Sequence, residues 1–334
     1  MSSKVTLSTI SRRIPILGFL SALLVGCWDN QGDVFDEYHS RVARVQDEDR
    51  VIQEWQFDAL PRKRELNINI EPISMGLLDS YQLRECGLFN LIAERNSVLG
   101  KVADPFRNFD YQVAFLDGLS ECLNHQGISD DVQQQLLSIE QQKRDQIAMH
   151  QWNLLYASDA MQSQLRGSQW LSEDVGLKVQ RVSDALDYLN QSFNTSMTLG
   201  SITEVQETLE KQVVLGDLHY SLSAATFELN LITQQLKTFD HKIICGKQRD
   251  TTKFRHLNNV FEQQFIGIVQ PYMAQLDGYY QQLAPNLSLF EAQPQLHPYT
   301  FPLVGTHQAF RTAIRQHVDY WKSLFERCGR KVGR

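Results

Sequence analysis

The chain has 334 residues, 42% of them hydrophobic, with 39 Asp+Glu against 32 Lys+Arg and a formal net charge of −7. That acidic balance removes the electrostatic case for binding nucleic acid or an anionic headgroup surface. The length suffices for one large domain or two small ones.

At the N-terminus, Lys4, Arg12 and Arg13 precede an apolar run from Ile14 to Gly26. The run is shorter than the roughly 20 apolar residues that cross a bilayer, and small residues close it, which is the pattern of an export signal. Leu24-Val25-Gly26-Cys27 resembles a bacterial lipobox. That resemblance implies a diacylglycerol on Cys27, cleavage before it and acylation of the new amine. Residues 1–26 are then a signal peptide, 27–33 a lipidated tether and 34–330 a single helical domain, with room for an N-terminal subdomain over 34–125. Cleavage removes three positive charges and no negative ones, leaving a mature net charge of −10. The lipid, not charge, must therefore hold the protein at a membrane, and two or three acyl chains at about 0.8 kcal/mol per buried methylene do so durably. Trp28 follows Cys27 where an Asp would favour inner-membrane retention. The expected location is the cell envelope, facing the periplasm, at the outer membrane more than the inner.

The remaining chain predicts an all-α fold: an elongated bundle with long antiparallel hairpins. Val34, Phe35, Tyr38, Val42 and Val45 recur at helical spacing in a first helix. Residues 66–70 alternate apolar and polar, a short extended segment that Pro72 ends. A helix is predicted over 75–99 with Leu77, Leu78, Tyr81, Leu88, Leu91 and Ile92 apolar, and another from the Asp104-Pro105 start to about Leu123. Val132, Leu136, Ile139, Ile147, Leu154, Met161 and Leu165 form the next stripe, interrupted at Lys143 and His150. Another stripe runs from Leu171 to Phe193. Ser201 and Glu204 suggest a capping box opening one helix that runs to about Ile243, on the order of 60 Å long. A helix over about 251–283 carries Pro271 as a kink or break, a proline-rich loop spans 284–303, and a last helix covers about 305–328.

Of the five cysteines, four remain after Cys27. An even number in an exported chain reads as two disulfides. Of the three pairings, Cys86–Cys122 and Cys245–Cys328 are favoured, because each pair lies near the ends of segments expected to pack together. No Cys-x-x-Cys, Gly-x-Gly, P-loop, Gly-x-Ser-x-Gly or His-Glu-x-x-His occurs. No cofactor or metal is expected.

The chemically densest stretch holds Arg84, Glu94, Arg95 and Asn96. It reads either as a polar binding site with Arg95 as an anion clamp, or as a helix C-terminus. The second is simpler, since Asn96 and Gly100 terminate helices and Arg95 and Lys101 suit the negative end of the dipole. His307 and His317, beside Arg311 and Arg315, read as a solvated face, Trp152, Trp170 and Trp321 as core, and Arg62-Lys63-Arg64 as an exposed basic loop.

Three strings look familiar: Gly76-Leu77-Leu78-Asp79, Leu83-Arg84-x-Cys86-Gly87-Leu88 and Leu91-Ile92-Ala93-Glu94-Arg95-Asn96-Ser97-x-Leu99-Gly100-Lys101. With the C-terminal His317-Val318-x-x-Trp321-x-x-Leu324-x-x-x-Cys328-Gly329, they resemble an uncharacterised family of bacterial lipoproteins, domain of unknown function 3080. The resemblance covers essentially the whole mature chain, implies the lipoprotein address and the four-cysteine plan, and brings no activity. The expected function is a non-enzymatic, lipid-anchored scaffold or accessory factor binding a periplasmic protein partner. The alternative is a ligand-binding or hydrolytic envelope enzyme using Arg84, Glu94, Arg95 and Asn96.

Overall fold

The computed structural model describes residues 31–76, 81–194 and 200–330. It is all-α, and no strand occurs among the described residues. Cys27, the signal peptide and the stripe positions Leu77 and Leu78 lie outside the described residues.

Helix α1, Gln31–Gln46, begins inside the tether expected over 27–33. It buries Val34, Phe35, Tyr38 and Val42 against the long C-terminal helices. The short helix α2, Lys63–Leu66, follows, and it includes two residues of the basic run expected to be loop. The predicted extended segment leaves it without pairing into a strand. Asn153 serves as its partner instead: Ile68 N donates to Asn153 Oδ1 at 2.8 Å, and Asn153 Nδ2 donates back to Ile68 O at 2.8 Å. One side-chain amide thus satisfies a backbone pair that a sheet would otherwise require.

The helix predicted over 75–99 is broken. Gly87 takes φ +82°, a left-handed value that glycine adopts freely, and caps helix α3, Leu88–Asn96. A single turn, α4, Val98–Lys101, follows. Helix α5, Pro105–Leu123, starts as the sequence predicts, with Asp104 accepting from Phe106 N at 2.9 Å. It pairs with α6, Asp130–Ala157, in a long hairpin.

The apolar residues divide into two cores, and the boundary is not the one expected. The smaller core gathers Leu83, Leu88, Phe115, Leu119, Val132 and Leu136 around the far end of the α5–α6 hairpin. The larger core takes the near end, Phe106, Phe109, Trp152 and Tyr156, with α1 and everything C-terminal. The two cores do not divide at 125: α1 packs in the larger one, and α5 and α6 each contribute to both.

Beyond α6, Ser158 caps α7, Asp159–Leu165, and α8, Gly176–Asn194, packs against the body. The 60 Å helix predicted from Ser201 is instead two: α9, Thr203–Lys211, and α10, Leu215–Thr238. The fully buried Gln164 stabilises the break, its Oε1 accepting from Val214 N and Leu215 N while its Nε2 donates to Leu209 O and Gln212 O. Four backbone groups that a continuous helix would have paired are satisfied by one amide. Close approach matters here too. A Cβ on Gly216 would sit 2.4 Å from Gly167 N. The expected capping box does not form: Ser201 Oγ donates to Asp110, and α9 starts at Thr203.

Helix α11, Thr252–Val260, continues through a π-helical stretch, Phe261–Val269, into α12, Gln270–Leu283. Pro271 has no N–H and crowds the carbonyl four residues back, so the register widens before it rather than the helix ending. Residues Ala284–Phe290 form a 3₁₀ segment within the predicted loop. The last helix, α13, Leu303–Arg327, lies along α10. Cys86 and Cys122 are paired with Cα atoms 5.1 Å apart, as are Cys245 and Cys328 at 5.0 Å.

Candidate functional site

A cleft of about 820 Å³ runs along the α5–α6 hairpin where the two cores meet. Its walls are apolar, including Ile68, Ile73, Leu83, Phe115, Leu136 and Ile139. Its floor is polar and comes from α5 and α6, where neither core supplies buried apolar residues.

The four residues singled out from sequence separate here. Arg95 and Asn96 line the cleft, whereas Arg84 and Glu94 do not. Arg84 is exposed and folds over the rings of Tyr81 and Phe89, 4.4 and 4.8 Å from their centroids. Glu94 points to solvent. Arg95 does close the helix end, since its guanidinium donates to Gly100 O. It also stands 5.7 Å from the Tyr111 ring at the cleft wall. Helix-end reading and cleft reading are both met by one residue, because a guanidinium has more donors than one carbonyl consumes.

Four further side chains form a line across the floor. Lys143 Nζ donates to Gln112 Oε1 at 2.8 Å, Gln112 Nε2 to Asn108 Oδ1 at 3.3 Å, and Asn108 Nδ2 to His150 Nδ1 at 3.1 Å. The order follows from Lys143. An ammonium only donates, so Gln112 must turn its oxygen toward it, Asn108 must turn its oxygen toward Gln112, and His150 Nδ1 must accept. The proton of a neutral His150 is thereby placed on Nε2. That atom is buried and has no hydrogen-bond partner.

Burial is the main cause that lowers the His150 pKa to about 4, with Lys143 and Arg95 adding repulsion. Burial, then Arg95, also lowers the Lys143 pKa. Burial raises that of Tyr111 to about 12. Neither Arg95 nor Lys143 forms an ion pair among the described residues. Among the described residues the one carboxylate on the cleft rim is Glu71, which is exposed and accepts from Asn69. The sequence did signal Lys143 and His150, as interruptions of an apolar stripe, but it gave no indication that Asn108 and Gln112 would join them.

The second polar cluster is elsewhere. His307 is not on a solvated face: it stacks on Tyr280 at 3.6 Å between centroids and bonds Asp277 at 2.7 Å. His317 is fully buried. Asp277 also pairs with Arg311, a structural bridge between α12 and α13 with no Ser or Cys nucleophile among the residues of the shallow pocket beside it. Trp152 and Trp321 are core as predicted, and Trp170 is half-buried against Phe35. Among the described residues no group of three or more His, Cys, Asp or Glu could hold a metal ion, and no helix is long and apolar enough to cross a membrane.

Comparison with known proteins places this arrangement. A family model described as "Protein of unknown function (DUF3080)" matches residues 35–332, which takes in both cores and the cleft. The chain belongs to this family. No curated protein and no solved structure matches it. The family match spans all four paired cysteines, so the two bridges and the hairpin that carries the cleft fall within the family region.

Proposed function

We propose that this protein is lipid-anchored in the bacterial envelope, facing the periplasm, and acts by binding rather than by catalysis. The cleft over the α5–α6 hairpin carries the reading. It joins apolar walls to a few fixed polar groups, the usual composition of a ligand site. Among its described residues it offers hydrogen-bond donors and a half-buried cation but no nucleophile–base pair. The export signal and Cys27 supply the address. Because α1 already begins at Gln31, four residues after Cys27, the body would stay within about 15 Å of the acylated cysteine even with that tether fully extended. Such tethering raises the effective concentration of the cleft at the membrane.

The test has two parts. Metabolic labelling with a clickable palmitate should mark the wild-type chain and not Cys27→Ser. Native mass spectrometry of protein purified from cells should show a bound small molecule that gentle activation releases. An unlabelled wild-type chain would end the anchoring reading, and a chain with no released mass and no ligand-induced thermal shift would end the binding reading.

A protein partner, the function expected from the sequence, is the second reading here, and one observation favours it. Val98, Leu99 and Val102 are 82, 81 and 76% exposed on and beside α4, next to the cleft rim. In-cell crosslinking from those positions should trap one recurrent protein if that surface is an interface.

A further inference from the structure

Resting on the binding reading above, we propose that the cleft takes an amphiphile with one acidic headgroup. The acid is held between Arg95 and Lys143 and accepts a hydrogen bond from His150 Nε2, while the apolar body lies along Ile68, Ile73, Phe115 and Ile139.

Three independent observations converge on that chemistry. The first is the polarity of the floor. The relay from Lys143 through Gln112 and Asn108 leaves a neutral His150, itself a lining residue of the cleft, with its proton on the buried and unpartnered Nε2. Arg95 and Lys143 can only donate. Two cations and an unspent N–H among the residues that line one cleft favour an anion. The second is desolvation. His150 is 8% exposed with an unpartnered nitrogen, and a buried polar atom left unpaired costs about 1–3 kcal/mol. Lys143 is half-buried beside the Phe115 ring, 5.5 Å from its centroid, and near a second cation, Arg95. An acid oxygen would relieve both penalties together. The third is the wall. A small inorganic anion has no use for a cleft lined by isoleucines, phenylalanine and leucine, whereas an acyl chain or similar body fills it. Other buried orphan atoms, His39 Nε2 and Gln264 Oε1, line neither cleft and make no comparable site.

An acidic headgroup can be a fatty carboxylate or a phosphate monoester, and the experiment separates them. The full-length chain is reconstituted in zwitterionic phosphatidylcholine nanodiscs. Decanoate, dodecyl phosphate, decanol and inorganic phosphate are each titrated calorimetrically, with empty discs as the blank. At least one of the two amphiphilic acids should bind saturably, tenfold or more tighter than decanol and than inorganic phosphate, and the tighter acid names the source. Lys143→Gln and Arg95→Gln should each weaken that acid at least tenfold while leaving decanol unchanged, with melting temperatures showing that both variants fold. Equal binding of acid and alcohol, or acid binding untouched in both folded variants, would overturn the acid recognition while leaving a binding cleft. Inorganic phosphate binding as tightly as the amphiphiles would overturn the apolar half. No saturable binding of any of the four would overturn the binding reading itself.

Discussion

The Tyr38 hydroxyl lies 2.9 Å from His317 Nε2 in the middle of the main core, joining α1 to α13 across 279 residues of sequence. Trp321 Nε1 donates to the same nitrogen at 3.0 Å. On the other side, Thr233 gives its own proton to Leu229 O at 2.7 Å and so must accept from His317 Nδ1 at 2.8 Å. His317 is therefore a neutral imidazole protonated on Nδ1, and Nε2 accepts from both Tyr38 and Trp321.

Tyr38→Phe removes the bond to Nε2 and the weaker one that the hydroxyl accepts from Trp321 Nε1 at 3.2 Å, but leaves Nε2 paired with Trp321, so it should cost about 1 kcal/mol. His317→Ala opens a cavity, strands the Tyr38 hydroxyl proton and leaves Trp321 Nε1 only its longer bond to Tyr38, and should cost about 3–4 kcal/mol. Urea denaturation of the two variants checks the ratio. Equal losses would mean that the histidine fills space and directs no bonds.

Acid should weaken the fold through buried imidazoles. Burial is the first cause that lowers the pKa of His150 and His219 to about 4 and of His317 to about 3, and Lys237 adds repulsion at His317 while Asp58 opposes the shift at His219. In the unfolded chain each titrates near 6.5. Below that value the unfolded state binds protons that the native state refuses, so stability is full above about pH 6.5 and falls as pH drops toward 4. Each unit of displacement is worth about 1.4 kcal/mol per group. Denaturation midpoints at pH 7 and pH 4.5 should differ clearly, and His219→Phe, if it folds, should narrow the gap.

The two bridges should protect different parts of the molecule. Their sequence separations are 36 and 83 residues, which on a chain-entropy basis stabilise by up to about 4–5 kcal/mol each. Replacing Cys86 and Cys122 with Ser should raise amide exchange over the smaller core, near 81–139, and leave α10 and α13 protected. Replacing Cys245 and Cys328 should loosen the attachment of the end of α13. Uniform exchange in both would mean a single cooperative unit.

Glycines offer a matched pair. Gly216→Ala would drive a methyl to 2.4 Å from Gly167 N at the α7–α10 contact, and should lower the melting temperature by several degrees. Gly278→Ala, inside α12 with nothing within 4 Å, should raise stability by up to about 1 kcal/mol. Calorimetry of the two, side by side, tests whether the close approach is real.

Much of the fold was legible because helices declare themselves locally. The 3.6-residue recurrence in α1, α5, α6, α8 and α13 places each apolar face without knowledge of its neighbours. Asp104 before Pro105 marks a start that needs nothing distant. The errors fall where a remote side chain decides. Only packing reveals that Gln164 can replace four backbone partners, so the helix from 201 to 243 could not be seen to break at 212–214. Asn153 similarly stands in for the strand that residues 66–70 lack, and His317 looks like a surface residue until Tyr38 is known to face it.

By itself the sequence determined the helical class and the apolar faces, and it favoured one cysteine pairing of three, since each rests on spacing along the chain. It also marked Lys143 and His150 as faults in a stripe. Tertiary structure alone decided where those faults lie: both line the cleft. Two cores meet along one hairpin, neither takes a buried apolar residue from between Ile139 and Trp152, and Arg95 arrives from a helix nearly 50 residues away. A cleft is a relation between surfaces, and its polarity depends on the direction of hydrogen bonds among Lys143, Gln112, Asn108 and His150. Nothing local in the chain encodes that direction.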